Sequence, residues 1–307
     1  MDYTIYELDF FNGVRFGSRD LSGTEIAFRA DTLFAALYQE AIKLGRAQAF
    51  LEQINMGHLL FSDGFPYKGK QLFLPKPLLQ IRRREQQQGN SREKKQLKEM
   101  KYIPWECLEA YREGCMSKEQ IESGNEFGTV GMKAAVSLMG QEEPEPYRVS
   151  AYYFKDGNGL YSIVGYELEE SRQVFEELLE SLSYTGLGGK KSAGLGRFEY
   201  RSREVPELLK KRLSVHGQEK MLLSTAMAEE EELDTVLDGA NYTLLRRGGF
   251  VDSERYALQQ MRKKDYYVFA AGSCFRNTFS GIVAEDRNGG SHSVFRYQKA
   301  LFLGVDI

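Results

Sequence analysis

Five glycines fall within the eleven residues from Gly186 to Gly196, and Lys190, Lys191 and Ser192 stand among them. Glycine reaches positive φ without steric cost, and its missing Cβ lets a backbone approach an anion closely. The segment therefore reads as a loop whose N–H groups can turn toward a phosphate, with lysine charge supplied at the same place. Its flanks restrict it further. Val174, Phe175, Leu178, Leu179 and Leu182 recur at helical spacing before it, with Glu176, Glu177 and Glu180 on the outer face, and Leu195 to Arg201 is strand-like after it.

Upstream, Tyr3 to Phe11 reads as a strand ending at the turn signal Asn12-Gly13. Leu33, Phe34, Leu37, Tyr38, Ala41 and Leu44 predict a helix from Asp31 that Gly45 terminates. His58 to Phe61 and Gln71 to Leu74 read as strands separated by a turn at Asp63-Gly64-Phe65-Pro66. Arg148 to Phe154 and Leu160 to Leu168 read as a hairpin joined across Asp156-Gly157-Asn158-Gly159. The order strand, helix, strands, helix, loop, strand is that of a ferredoxin-like α+β unit. Residues 82–130 interrupt it as a basic insertion, mobile near Gln86 to Ser91, with a short helix opened by a Ser117-x-x-Gln120 capping box and ended by Gly124. From about residue 206, short strands (Tyr242 to Leu245, Tyr266 to Ala270, Ser293 to Tyr297, Leu301 to Val305) alternate with glycine turns. The expected organisation is a domain over 1–205 and a second, degenerate, strand-rich ferredoxin-like domain over 206–307.

A chain of 307 residues with 42% hydrophobic and 28% charged residues buries a real core. Its net charge of -3 excludes a uniformly basic nucleic-acid binder, so a polyanion site must be a local patch. Two patches exist. Arg82, Arg83, Arg84, Arg92, Lys94, Lys95, Lys98 and Lys101 lie in the insertion, and Lys190, Lys191 and Arg197 lie in and beside the glycine-rich loop. Acid is concentrated elsewhere, at Glu229 to Glu232, Asp234 and Asp238. Three cysteines without a CxxC pair suggest buried free thiols rather than disulfides or zinc. The N-terminus lacks a signal-peptide pattern, and no apolar run approaches a membrane span of about 20 residues. A cytoplasmic protein without membrane contact is expected.

Two phosphate motifs fail against the loop. A P-loop places Ser or Thr after its GK, where this chain has Lys191, and its first glycine is missing. A dinucleotide fingerprint needs a third glycine at position 191, and it runs from strand to helix, the reverse of this loop. No cofactor is therefore expected. A glycine-rich loop between the last helix and last strand of a ferredoxin-like unit resembles the RAMP superfamily of CRISPR proteins. Phe16-Gly17-Ser18 followed by Phe28-Arg29-Ala30-Asp31-Thr32-Leu33-Phe34-Ala35-Ala36-Leu37 is similar to the N-terminal segment of the branch that forms subunit four of the type III-A Csm effector complex. The resemblance implies a non-catalytic subunit that holds the repeat-derived 5′ tag of crRNA and caps one end of the complex. Its implied partners are the large signalling subunit and the first backbone subunit. It also implies that Gly188, Gly189, Lys190, Lys191, Ser192, Gly194, Gly196 and Arg197 contact tag phosphates, and that the basic insertion forms a thumb-like element against the RNA.

Single-stranded RNA is held by basic grooves with aromatic stacking platforms. Phe16, Phe65 and Tyr67, beside Arg15 and Lys68, are the candidates, and the Gly/Pro loop favours Phe65 and Tyr67. Arg246 and Arg247 are a second possible phosphate contact or solvated loop charges. The alternative reading is a metal-independent, repeat-processing endoribonuclease of the RAMP type, and a third is an interaction protein without RNA contact. Against a nuclease, His58, His216 and His292 form no recognisable constellation, and Asp31 reads as a helix N-cap.

Overall fold

In the computed structural model the described residues are 1–17, 23–79, 91–123, 126–137, 145–214, 217–251, 261–287 and 290–306. Strand β1 (Asp2–Phe10) puts Tyr6, Leu8 and Phe10 into one hydrophobic cluster and Ile5 into another on its opposite face. Helix α1 (Ala30–Lys43) buries Leu33, Phe34, Leu37 and Ala41 and ends at Leu44, with Gly45 at φ 68°. The predicted helix is thus found within the usual uncertainty at its ends. A second helix, α2 (Ala47–Asn55), follows at once and buries Phe50 and Ile54.

The chain continues through β2 (Leu59–Phe61), β3 (Phe65–Lys68), β4 (Gln71–Pro75), α3 (Ser91–Glu99), β5 (Tyr102–Pro104), α4 (Leu108–Arg112), α5 (Lys118–Ser123), β6 (Gly128–Ser137), β7 (Glu145–Phe154), β8 (Asn158–Tyr166), α6 (Glu169–Thr185) and β9 (Phe198–Glu204). The main sheet is antiparallel in the order β5-β4-β3-β8-β1-β9, and β2 also pairs with β8. Central strands β1 and β8 each lead into a helix, and α1 and α6 pack together over the Tyr6 face. This is the split βαβ arrangement expected of a ferredoxin-like α+β fold.

Two expectations are corrected. The turn read at Asp63-Gly64-Phe65-Pro66 is shorter, because Phe65 and Pro66 already belong to β3 and pair with Tyr161 and Leu160 of β8. The hairpin read between β7 and β8 does not form. The chain does turn there, with Asn158 N–H donating to the Lys155 carbonyl at 2.9 Å. Both edges of β8, however, are occupied by β1 and by β2 with β3. Strand β7 pairs instead with β6 over the full length of both, as a separate ribbon.

The insertion is partly core. Strand β5 extends the sheet through β4, and Met100, Ile103, Leu108, Tyr111 and Ile121 fill the second cluster. The capping box forms as read: Ser117 N–H donates to Gln120 Oε1 at 2.8 Å, and Gln120 N–H to Ser117 Oγ at 3.2 Å. Arg82 to Arg84, Gln86 to Asn90 and Gly124 lie outside the described residues. Cys107 and Cys274 are buried, but Cys115 is exposed in the turn after α4, which corrects that part of the thiol reading.

The second half comprises α7 (Glu207–Leu213), β10 (Lys220–Leu222), α8 (Leu233–Leu237), β11 (Leu244–Arg247), β12 (Tyr266–Phe269), β13 (Cys274–Phe275), β14 (Gly281–Asp286), β15 (Val294–Lys299) and β16 (Phe302–Gly304). Its strands form the small antiparallel groups β13-β10-β16, β11-β12 and β14-β15. The hydrophobic core crosses residue 205: Tyr297 of β15 stacks on Phe61 with centroids 4.3 Å apart and on Phe34 at 5.7 Å. Asp63 ties the halves together by hydrogen bonds. Its Oδ1 accepts from Ala30 N–H and Thr225 N–H, each at 2.8 Å, and its own N–H donates to the Leu223 carbonyl at 2.9 Å. Burial pushes its carboxyl up, against the opposing pull of Arg29 and these two amides.

Candidate nucleic-acid interface

Helix α6 stops where Gly186 takes φ 89°. Leu187 then plugs the first cluster with no exposure and anchors the loop, whose Gly188, Gly189 and Gly194 stay partly exposed. The segment after β1 forms the other wall. Gly189 N–H donates to the Arg15 carbonyl at 2.8 Å, Gly196 N–H to the Gly13 carbonyl at 3.1 Å, and Asn12 Nδ2 to the Gly194 carbonyl at 3.3 Å. Two glycines are required sterically. A Cβ at Gly188 (φ 101°) would lie 2.7 Å from the Arg15 carbonyl oxygen, and one at Gly196 (φ 80°) 2.2 Å from that of Leu187.

Lys190 is itself left-handed, at φ 60°, and leads into a 3-10 turn over Lys191–Ala193. The first amides of such a turn have no acceptor within it, so those of Lys191 and Ser192 are available to an outside anion. Lys190 Nζ lies 3.1 Å from Tyr147 OH and 5.0 Å from the centre of that ring, so a residue of the β6–β7 ribbon sets the position of a loop charge. Lys191 is half-buried, and Ser192 and Arg197 are exposed. Arg15 is half-buried beside Gly189, its Nη1 3.5 Å from where a Cβ there would stand. Lys68 is exposed at the same end of the sheet: it pairs with Asn158, β8 pairs with β1, and Phe10 pairs with Phe198. Three strand spacings separate it from β9, roughly 15 Å. The structure thus puts Lys190, Lys191 and Ser192 on the loop and Arg197 at its end, with Arg15 against Gly189 and Lys68 on the flank.

The expected stacking platforms are corrected. Phe16, Phe65 and Tyr67 are 2%, 1% and 1% exposed. Phe16 packs edge-on against Phe10 and Phe28, and Phe65 against Tyr161. The glycine and proline near Phe65 lead into an internal strand, where both aromatics are covered. Arg247 is not a solvated loop charge either: the Nε–Nη2 edge of its guanidinium holds Asp31, at 2.8 and 2.7 Å. Asp31 therefore anchors Arg247 and is not the N-cap of α1; that residue is Arg29, and Ala30 N–H is held by Asp63. Arg246 is exposed and donates to Asp265 at 2.5 Å on the β11–β12 ribbon.

His58 lies beside Glu167 at the far end of β8, roughly 27 Å from the loop end by strand rise. His292 contacts its neighbour Ser293, and His216 lies outside the described residues. Asn12, Gly13 and Tyr147 belong to the loop's surroundings but were not legible as such. The turn signal at Asn12-Gly13 was the sole hint. No described helix is long and apolar enough to cross a membrane.

An antiparallel sheet backed by two helices, with a glycine-rich loop feeding its edge strand and a strand-rich second half sharing its core, defines a RAMP-type α+β protein. Residues 215–305 match the family model of the CRISPR Csm4 C-terminal domain. The chain is 33% identical to the CRISPR system Cms protein Csm4 of Mycobacterium tuberculosis (strain ATCC 25618 / H37Rv), over 99% of this chain and 98% of that protein. It is 31% identical to the protein of the same name from Streptococcus thermophilus, over the whole of both. Among solved structures, a chain of the Csm3-Csm4 subcomplex in the type III-A CRISPR-Cas interference complex superposes with a TM-score of 0.67 at 16% identity, covering 99% of each chain. A chain of the Csm1-Csm4 cassette in complex with pppApA gives 0.58 at 19% identity, covering 100% of this chain and 99% of that one. This chain belongs to the Csm4 family.

Proposed function

We propose that this chain is the subunit of a type III-A effector complex that holds the repeat-derived 5′ tag of crRNA and caps one end of the assembly. In this reading it acts in the cytoplasm, contacts the large signalling subunit and the first backbone subunit, and performs no catalysis. The observation that carries the reading is the glycine-rich loop, where the amides of Lys191 and Ser192 and the side chains of Lys190, Lys191 and Ser192 lie beside Arg15, with Arg197 at the loop's end. Membership of the Csm4 family supports the assembly part.

The purified chain should bind single-stranded repeat RNA with strong salt dependence. Replacing Lys190 and Lys191 by alanine together should shrink the slope of log K against log salt by roughly 0.7 per lost phosphate contact. An unchanged slope removes the loop from the RNA site. Incubating the same RNA with the chain in EDTA tests the endoribonuclease alternative, and cleavage that a single histidine substitution abolishes would sink the non-catalytic reading. RNA that never co-purifies, while partner subunits do, would favour a purely protein-binding role.

A further inference from the structure

We propose that Phe11 is the base-stacking platform of this site, so that one nucleotide rests its phosphate on the glycine-rich loop and its base on the Phe11 ring. The inference rests on the loop being an RNA site. Phe10 faces the helices and packs against Phe16, Phe154 and Phe198. Successive side chains of a strand alternate, so Phe11 faces the other way. There the residue is 63% exposed, in a chain that buries Phe16, Phe65 and Tyr67 almost completely.

Its position is set by the loop. Phe11 N–H donates to the Arg197 carbonyl at 3.2 Å, continuing the register in which Phe10 pairs with Phe198. Phe11 and Arg197 therefore stand directly opposite on one face, at a separation that cross-strand pairs keep near 5 Å. The next residue, Asn12, is hydrogen-bonded to the loop at Gly194. A bare aromatic face thus adjoins an exposed guanidinium and the loop backbone within reach of a single nucleotide.

The surroundings favour a nucleotide over a protein partner. One step further along the same face, Asp9 pairs with Glu199, and both are exposed. An exposed ring flanked by these charged groups is not the apolar centre that a protein interface needs. The two carboxylates repel phosphate, so the RNA backbone must track the Arg197 and loop side. That leaves the base side over Phe11, where stacking accepts any base because each has a π-face.

The test uses the full chain and single-stranded repeat RNA made abasic at one position at a time. In the wild-type protein one position should matter, its loss weakening binding roughly 5- to 150-fold, the range that stacking of one base supplies. Phe11→Ala should weaken binding of intact RNA by the same factor, abolish the penalty at that abasic position, and leave the salt slope unchanged. Phe11→Trp should retain affinity, whereas Phe11→Leu, which keeps the bulk but not the ring, should lose it. If Phe11→Ala binds every probe as the wild type does while the Lys190 and Lys191 double variant still flattens the salt slope, stacking is refuted and the loop reading stands. The ring then serves a protein partner or none. Failure of the wild type to bind RNA overturns both.

Discussion

Arg247 donates from Nε and Nη2 to the two carboxylate oxygens of Asp31, at 2.8 and 2.7 Å, and so ties β11 to the first turn of α1. Arg296 lies 4.0 Å from the same carboxylate. Removing one partner of a largely buried pair leaves the other uncompensated. Arg247→Ala should therefore destabilise the fold by about 3 kcal/mol, near the lower end for such pairs. Thermal or denaturant unfolding measures the loss, and RNA affinity per folded molecule should not change.

The same pair sets an acid limit. Burial raises the Asp31 carboxyl, but the charge and hydrogen bonds of Arg247 outweigh burial and hold it below the usual carboxylate range. A lowered carboxylate contributes stability above its unfolded value of about 3.9 and loses that contribution as pH falls through the folded value. The stability difference between the wild type and Asp31→Asn should be largest near neutrality and shrink below about pH 4 in unfolding experiments. A difference that is constant with pH would show that Arg247 does not act through the ionised carboxylate.

The loop's glycines should separate into required and permissive positions. Gly196→Ala meets both a left-handed backbone and the Leu187 carbonyl, and should cost about 2 kcal/mol or more while weakening RNA binding. A Cβ at Gly189, by contrast, meets nothing nearer than 3.5 Å. Gly189→Ala should stay within about 1 kcal/mol of wild type. Equal effects in unfolding and binding assays would contradict this loop geometry.

Phe65→Ala checks the corrected role of that residue. A buried phenylalanine truncated in a packed core costs about 3–5 kcal/mol, so the variant should be strongly destabilised. Affinity of its remaining folded fraction for RNA should match the wild type. A selective loss of RNA binding with unchanged stability would restore it as a platform.

Tyr147 holds Lys190 through its ring and its hydroxyl. Tyr147→Phe keeps the ring contact and should alter RNA affinity less than twofold. Tyr147→Ala frees the lysine and should weaken binding several-fold, in keeping with a cation–π contact of about 0.5–1 kcal/mol. Titration of single-stranded RNA against both variants distinguishes them.

Much of the candidate site was legible because its signals are local. Glycine spacing, a preceding amphipathic helix and a following strand each depend on neighbouring residues, and α1, α6, β9 and the loop appear where those patterns put them. The Ser117–Gln120 capping box is local in the same way. Errors arose where a residue's environment is made by distant chain. Phe65 and Tyr67 look like loop residues until β8 covers one edge of their strand. The turn before Asn158 looks like a hairpin until β1, β2 and β3 occupy both edges of β8.

By itself, the sequence determined that a glycine-rich loop closes a ferredoxin-like unit, since backbone freedom and hydrophobic period are properties of consecutive residues. Tertiary structure alone decided which side chains reach that loop and which do not. Arg247 was tied to Asp31, more than two hundred residues away, Tyr147 was brought to Lys190 by the β6–β7 ribbon, and Phe11 was left facing outward by strand alternation. Exposure and ion pairing depend on what packs from elsewhere, and no window of neighbouring residues contains that information.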